Sequence, residues 1–140
     1  MSDKLIQLVY ESKASRPFSE EELKALLKTA RQNNTERGIS GMLLYANGNF
    51  LQVLEGPEQE VNEIYSIIEK DDRHSEIRPY GDKVIRNRDF PDWSMGFKYL
   101  SEEDQKNLEG FNDFFNTDHD ISTYNFSDVL MILTLFKTMN

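Results

Sequence analysis

Three polar side chains stand where the pattern around them is apolar or conformationally special: Tyr10, Asn34 and Gln52. Gln52 interrupts the run Phe50-Leu51-Gln52-Val53-Leu54. Its amide has two donors and two acceptor lone pairs to satisfy, and each buried group left unpaired costs about 1–3 kcal/mol. Such an amide needs a polar partner within an otherwise apolar site, and a ligand with hydrogen-bonding edges would supply one. An internal hydrogen-bond network would satisfy it equally well. Tyr10 alone reads as a core tyrosine with a wet hydroxyl, and Asn34 alone as a helix-ending or turn residue. What gives the three weight is that the elements carrying them can converge.

Those elements are legible. Asn47-Gly48 between two apolar runs signals a two-residue hairpin turn, because both central residues must reach positive φ. With that turn, Tyr45 faces Phe50, Leu43 faces Gln52 and Gly41 faces Leu54. Period-2 alternation then puts Leu43, Tyr45, Phe50, Gln52 and Leu54 on one face. Upstream, Leu5 to Tyr10 reads as a strand with both faces largely apolar, and therefore as a central one. Ser19 opens a helix, with Glu22 completing a capping box and Phe18 stapling onto Leu23. Leu23, Leu26, Leu27 and Ala30 form its apolar stripe, and Asn33, Asn34 and Gly38 end it. Gly56-Pro57 starts a second helix with Pro57 in its first turn, striped by Val61, Ile64, Tyr65 and Ile68; Asp71 and Asp72 end it poorly for the helix dipole. A strand within Ile77 to Arg86 follows, then a corner at Phe90-Pro91-Asp92-Trp93 and a last strand with Met95, Phe97 and Tyr99 on one face. The expected fold class is α+β: a ferredoxin-like βαββαββ sheet with two helices on one face and a C-terminal helical extension. Residues 1–100 would form one domain, and residues 101–140 would follow with a terminal helix, Asp128 to about Lys137, apolar nearly all round.

Composition narrows the chemistry. The chain has 140 residues and a formal net charge of −9, which argues against binding nucleic acid through phosphate neutralisation. It has no cysteine, hence no disulfide or thiolate nucleophile, and its two histidines, His74 and His119, argue against a His-rich zinc site. No run approaches the ~18 apolar residues of a membrane span, and no signal-peptide pattern opens the chain; a cytoplasmic protein is the expectation. There is neither a GxGxxG nor a Walker A loop.

Several segments together resemble the BLUF domain, the family of flavin-using blue-light sensors. They are Leu8-Val9-Tyr10-Glu11-Ser12, Ala30-Arg31-Gln32-Asn33-Asn34, Gly38-Ile39-Ser40-Gly41-Met42-Leu43-Leu44-Tyr45 and Phe50-Leu51-Gln52-Val53-Leu54-Glu55-Gly56, then Asp72-Arg73-His74, Arg88-Asp89-Phe90 and Asp92-Trp93-Ser94-Met95. They run in family order over roughly residues 3–100. The resemblance implies one non-covalent flavin, FAD with FMN as the alternative, held between the two helices. It makes Tyr10 and Gln52 the photoactive pair, with Asn34 on the flavin's pyrimidine edge and Asn33 beside it. Arg73 and His74 would lie near the flavin and its phosphate-bearing tail, and Trp93 and Met95 would pass the signal on. Light would then drive proton-coupled electron transfer from Tyr10 through Gln52 to the flavin. Gln52 would rearrange, giving a red-shifted state that reverts in the dark. Ala30 departs from the serine of several members and implies altered tuning or reversion.

The resemblance implies a receptor, not an enzyme, acting on a protein partner or on another copy of itself as a homo-oligomer, without nucleic acid or membrane. A flavin-dependent reductase would need a site for a reductant, and no residues mark one. A flavin-free interaction module would have no reason to gather Tyr10, Asn34 and Gln52.

Overall fold

The computed structural model describes residues 4–46, 48–91 and 96–99. In chain order these form β1 (Leu5–Ala14), α1 (Glu20–Arg37), β2 (Ser40–Ala46), β3 (Asn49–Pro57), α2 (Glu58–Glu69), β4 (His74–Val84) and β5 (Gly96–Tyr99). The sheet order is β4-β1-β3-β2-β5. Each of the first four strands pairs antiparallel with its neighbour among them, and β5 joins β2 in parallel. Two interleaved βαβ crossovers, β1-α1-β2 around β3 and β3-α2-β4 around β1, give the ferredoxin-like arrangement the sequence predicts. Strand β1 is central, as its two apolar faces require.

The hairpin register is the expected one: Tyr45 opposite Phe50, Leu43 opposite Gln52, Gly41 opposite Leu54. Gly48 has φ 76° in the connection; Asn47 lies outside the described residues. Phe18, Leu23, Leu27 and Val61 from the helical layer meet Ile6, Leu8, Tyr10, Leu43, Phe50 and Leu54 in one core. The capping box of α1 is formed, with Ser19 Oγ accepting from Glu22 N and Glu22 Oε1 accepting from Ser19 N.

Of the three residues read as ending α1, Asn33 and Asn34 lie within the helix, which runs to Arg37, and Gly38 ends it in the left-handed conformation (φ 71°). Gly38 N donates to Thr35 O at 3.3 Å and Ile39 N to Asn34 O at 2.8 Å, the paired bonds of a Schellman motif. Strand β1 continues past Tyr10 to Ala14, held by β3 and β4 on either side. Strand β4 begins at His74, not within 77–86, because it is an edge strand whose mostly exposed residues carry little apolar periodicity. Pro57, expected inside the first turn of α2, is its N-cap. The terminal helix and residues 92–95 lie outside the described residues.

Gly41 and Gly48 separate two reasons for glycine. A Cβ on Gly41 would lie 2.0 Å from Val53 O in the neighbouring strand, whereas one on Gly48 would meet nothing within 4 Å and carries only the positive-φ penalty. Chemical denaturation should therefore show Gly41→Ala losing more than about 3 kcal/mol, by forcing β2 and β3 apart. Gly48→Ala should lose only about 1 kcal/mol.

Candidate functional site

Between α1 and α2, above the centre of the sheet, lies an open cleft enclosing about 640 Å³ of empty space, counted out to its mouth. Leu26, Leu27 and Ala30 of α1 line one side and Ile68 of α2 lines another. Tyr10, Leu43, Phe50 and Gln52 form the floor, while Asp71, Arg73 and His74 belong to the stretch between α2 and the start of β4.

The floor is polar at one point. Tyr10 pairs directly opposite Gln52 across β1 and β3, and its phenolic O–H donates to Gln52 Oε1. Both residues are buried, 3% and 8% exposed. Burial pushes the phenol's pKa far above its usual range, with Tyr65 and the Asp71 carboxylate adding to the effect. The hydroxyl therefore keeps its proton at neutral pH. The ring of Tyr65 meets that of Tyr10 edge-on at 5.4 Å. A register shift in the β1–β4 pairing falls between Val9 and Tyr10, with Pro79 opposite Tyr10. A proline cannot donate to the ladder and belongs on an edge strand, and such irregularities re-aim a side chain beside a site.

His74 is held at both ring nitrogens: Nε2 lies 2.5 Å from Ile68 O and Nδ1 lies 2.8 Å from Ser12 Oγ. A carbonyl can only accept, so Nε2 carries the proton; in the neutral ring Nδ1 then accepts from the serine hydroxyl. Arg73 is held by Asp71, with Nε donating to Oδ1 and Oδ2 at 2.8 and 3.0 Å, Nη2 donating to Oδ2, and the backbone N–H of Arg73 reaching Oδ1 at 2.9 Å. These bonds hold the Asp71 carboxyl down to about 2, from 3.8.

Of the site residues read from sequence, Tyr10, Gln52, Arg73 and His74 are brought to one cleft, with Ala30 in its wall. Asn34 is buried one turn beyond Ala30 on the same stripe of α1, its backbone carbonyl serves the helix cap, and it is not among the cleft-lining residues. Asn33 is exposed on α1 and is not among the cleft-lining residues. Trp93 and Met95 lie outside the described residues. Ser12 and Asp71 carry no functional signal of their own in the sequence. Ser12 follows Tyr10 by the strand period of two and becomes legible once β1 is carried to Ala14; Asp71 reads from sequence only as an unfavourable helix end.

Residues 5–96 match the family described as "BLUF: Sensors of blue-light using FAD". The chain belongs to the BLUF family. Photoactivated adenylate cyclase subunit beta of Euglena gracilis is 37% identical over 92 residues, 65% of this chain and 11% of that protein. The chain thus spans about a tenth of the curated relatives it matches. The dark-state structure of BlrB, a BLUF protein, superposes with a TM-score of 0.78 at 25% identity, covering 96% of this chain and 98% of that one. A bacterial light-regulated adenylyl cyclase superposes with a TM-score of 0.70 at 34% identity, covering 80% of this chain and 32% of the cyclase.

The cleft of this BLUF domain fits a flavin. Its walls are aliphatic on the two helices, and its floor offers one amide beside a phenol. No described residues form a cluster of three or more His, Asp or Glu that could hold a metal, and no described helix is long and apolar enough to cross a membrane.

The Asp71–Arg73 pair gives a pH signature with a definite sign. A carboxyl lowered in the folded state stabilises the fold above its unfolded value and loses that contribution as pH falls towards its folded one. The contribution of Asp71 is therefore full above pH 4 and disappears as the pH falls through about 2; solvent screening keeps it below about 1 kcal/mol. Urea titrations should show Asp71→Asn less stable than the wild type at neutral pH, with the gap closing between pH 4 and 2.

Proposed function

We propose that this chain is a blue-light receptor in which Tyr10 and Gln52 form the photoactive pair of a non-covalent flavin site, with FAD as the cofactor and FMN as its alternative. The observation that carries this reading is the hydrogen bond from the Tyr10 phenol to Gln52 Oε1 at the floor of an apolar cleft. Asn33, Asn34, Arg73 and His74 complete the proposed binding set, Asn33 with the weakest structural support because its side chain faces solvent.

When bound, the flavin supplies blue-light absorption and an excited state that accepts one electron. Tyr10 is placed to give that electron. Its buried hydroxyl cannot release a proton to solvent, so loss of the electron sends the proton along the existing bond to Gln52 Oε1. The electron and the proton then return to Tyr10, restoring the phenol, and Gln52 is left in one of two stable arrangements. A hydroxyl both donates and accepts, so Tyr10 can donate to Oε1 in one arrangement and accept from Nε2 in the other. Neither arrangement leaves the phenol end of the amide unpaired, and the ~1–3 kcal/mol penalty for an orphaned buried group is avoided at that end. The rearrangement is a rotation of the amide, a tautomerisation, or both, and it reverses in the dark.

The receptor has no catalytic step of its own in this reading. Residues 1–100 sense, Trp93 and Met95 relay, and residues 101–140 carry the signal to a protein partner or to another copy of the chain in a homo-oligomer. The setting is cytoplasmic, without nucleic acid or membrane.

Illumination of the flavin-loaded protein tests the photoactive pair. Wild type should show a reversible red shift of the flavin band, while Tyr10→Phe and Gln52→Leu should bind flavin and show none. A complete photocycle in either variant defeats the mechanism. The relay is tested separately: Met95→Ala should keep the red shift and lose light-dependent changes in hydrogen exchange over residues 101–140, and retention of both would remove Met95 from the path.

A further inference from the structure

The hydrogen bond to Gln52 restrains Tyr10 at its hydroxyl, and in the proposed photochemistry that is the bond which rearranges. It cannot hold the ring through the step in which it takes part. The backbone at Tyr10 is also less constrained on one side. The β1–β4 register shifts between Val9 and Tyr10, and the residue opposite Tyr10 is Pro79, which has no N–H to give to the ladder. A second side-chain restraint comes from α2. Tyr65 lies on its apolar stripe, partly buried against the core. Its ring meets that of Tyr10 at 5.4 Å between centroids and 65° between planes. Edge-on packing is a favoured geometry for an aromatic pair and restrains orientation as well as distance. Tyr65 is not among the residues lining the cleft, so its influence on a bound ligand passes through Tyr10.

We infer that Tyr65 is a positioning residue for the photochemistry: its ring, packed edge-on against Tyr10, holds the phenol in its electron-donating orientation while the Gln52 amide rearranges. The inference rests on the reading of Tyr10 and Gln52 as the photoactive pair. The effect belongs to the ring of Tyr65 and not to its hydroxyl, and Tyr65 itself gives up no electron. Tyr10 loses one electron to the excited flavin and its proton along the bond to Gln52, and both return to it. Tyr65→Phe keeps the edge-on pair, whereas Tyr65→Leu keeps an apolar side chain on the α2 stripe and removes the ring.

In the flavin-loaded protein, time-resolved flavin fluorescence follows the electron transfer, which quenches the excited state, and the red-shifted fraction per absorbed photon gives its yield. Tyr65→Phe should match the wild type in both. Tyr65→Leu should keep its flavin, yet slow the quenching and lower the yield by about threefold, within the range that an aromatic pair commands over its partner's orientation. In a Tyr10→Phe background, Tyr65→Leu should leave the remaining decay unchanged. Wild-type quenching and yield in Tyr65→Leu overturn the inference and leave Tyr65 as packing alone, whatever that variant loses in thermal stability. Loss of flavin from Tyr65→Leu overturns it as well, since Tyr65 would then hold the cleft and not Tyr10. Equal losses in Tyr65→Phe and Tyr65→Leu do the same by moving the effect to the hydroxyl. A further slowing by Tyr65→Leu on top of Tyr10→Phe overturns it by making Tyr65 a donor in its own right. Quenching that Tyr10→Phe does not alter is a different result and defeats the reading of the photoactive pair itself.

Discussion

The hydrogen bond between Tyr10 and Gln52 depends on strand register more than on either side chain. Tyr10 and Gln52 are cross-strand partners in the β1–β3 pair, and Gln52 is also the partner of Leu43 in β2–β3. A slip of one residue in either ladder would turn Gln52 away from the cleft, since successive side chains alternate faces. The sheet is guarded against that slip at several places. Gly41 lets β2 approach β3 more closely than any side chain would allow, and the short connection at Gly48 sets the hairpin. Ala14 N donates to Gly48 O at 2.8 Å, tying the end of β1 to the hairpin turn.

The face of the sheet away from the cleft contributes a second restraint, made of polar groups. Glu55 is fully buried; its carboxylate accepts from Gln7 Nε2 at 2.7 Å and from the backbone N–H groups of Asp89 and Phe90 at 2.8 Å. Gln7 Nε2 also donates to Asp89 Oδ2 at 2.8 Å. Arg88 reaches the other way, donating to Ser40 Oγ at 2.7 Å and to Gly38 O at 2.6 Å. Residues 88–90 are thus fastened to β1, β3 and the C-terminal cap of α1 at once. These bonds join the segment leading towards β5 to the strands that carry Tyr10 and Gln52. Among the described residues, Gln7 Oε1 has no hydrogen-bond partner.

The helices are joined by charge where their apolar stripes end. Arg37, in the last turn of α1, donates to Glu60 and Glu63 of α2, each at 2.9 Å. Exposed pairs of this kind add little stability. Their effect is geometric, holding the C-terminal end of α1 against the start of α2 while the cleft stays open further along.

Local chemistry made much of this protein legible from sequence alone. The capping box at Ser19, the Asn47-Gly48 turn, the stripe of α1 and the alternation of β3 all depend on residues a few positions apart, so the element order, the hairpin register and the Gln52 anomaly could be read directly. The motif-bearing residues also pointed to the family. What only the tertiary structure decided depends on partners far along the chain. The start of β4 is set by pairing with β1 and not by its own weak periodicity. Ser12 acquires a role only when His74 is folded against it. The burial that keeps the Tyr10 phenol protonated likewise has no counterpart in the sequence pattern, because it is a property of everything surrounding that ring at once.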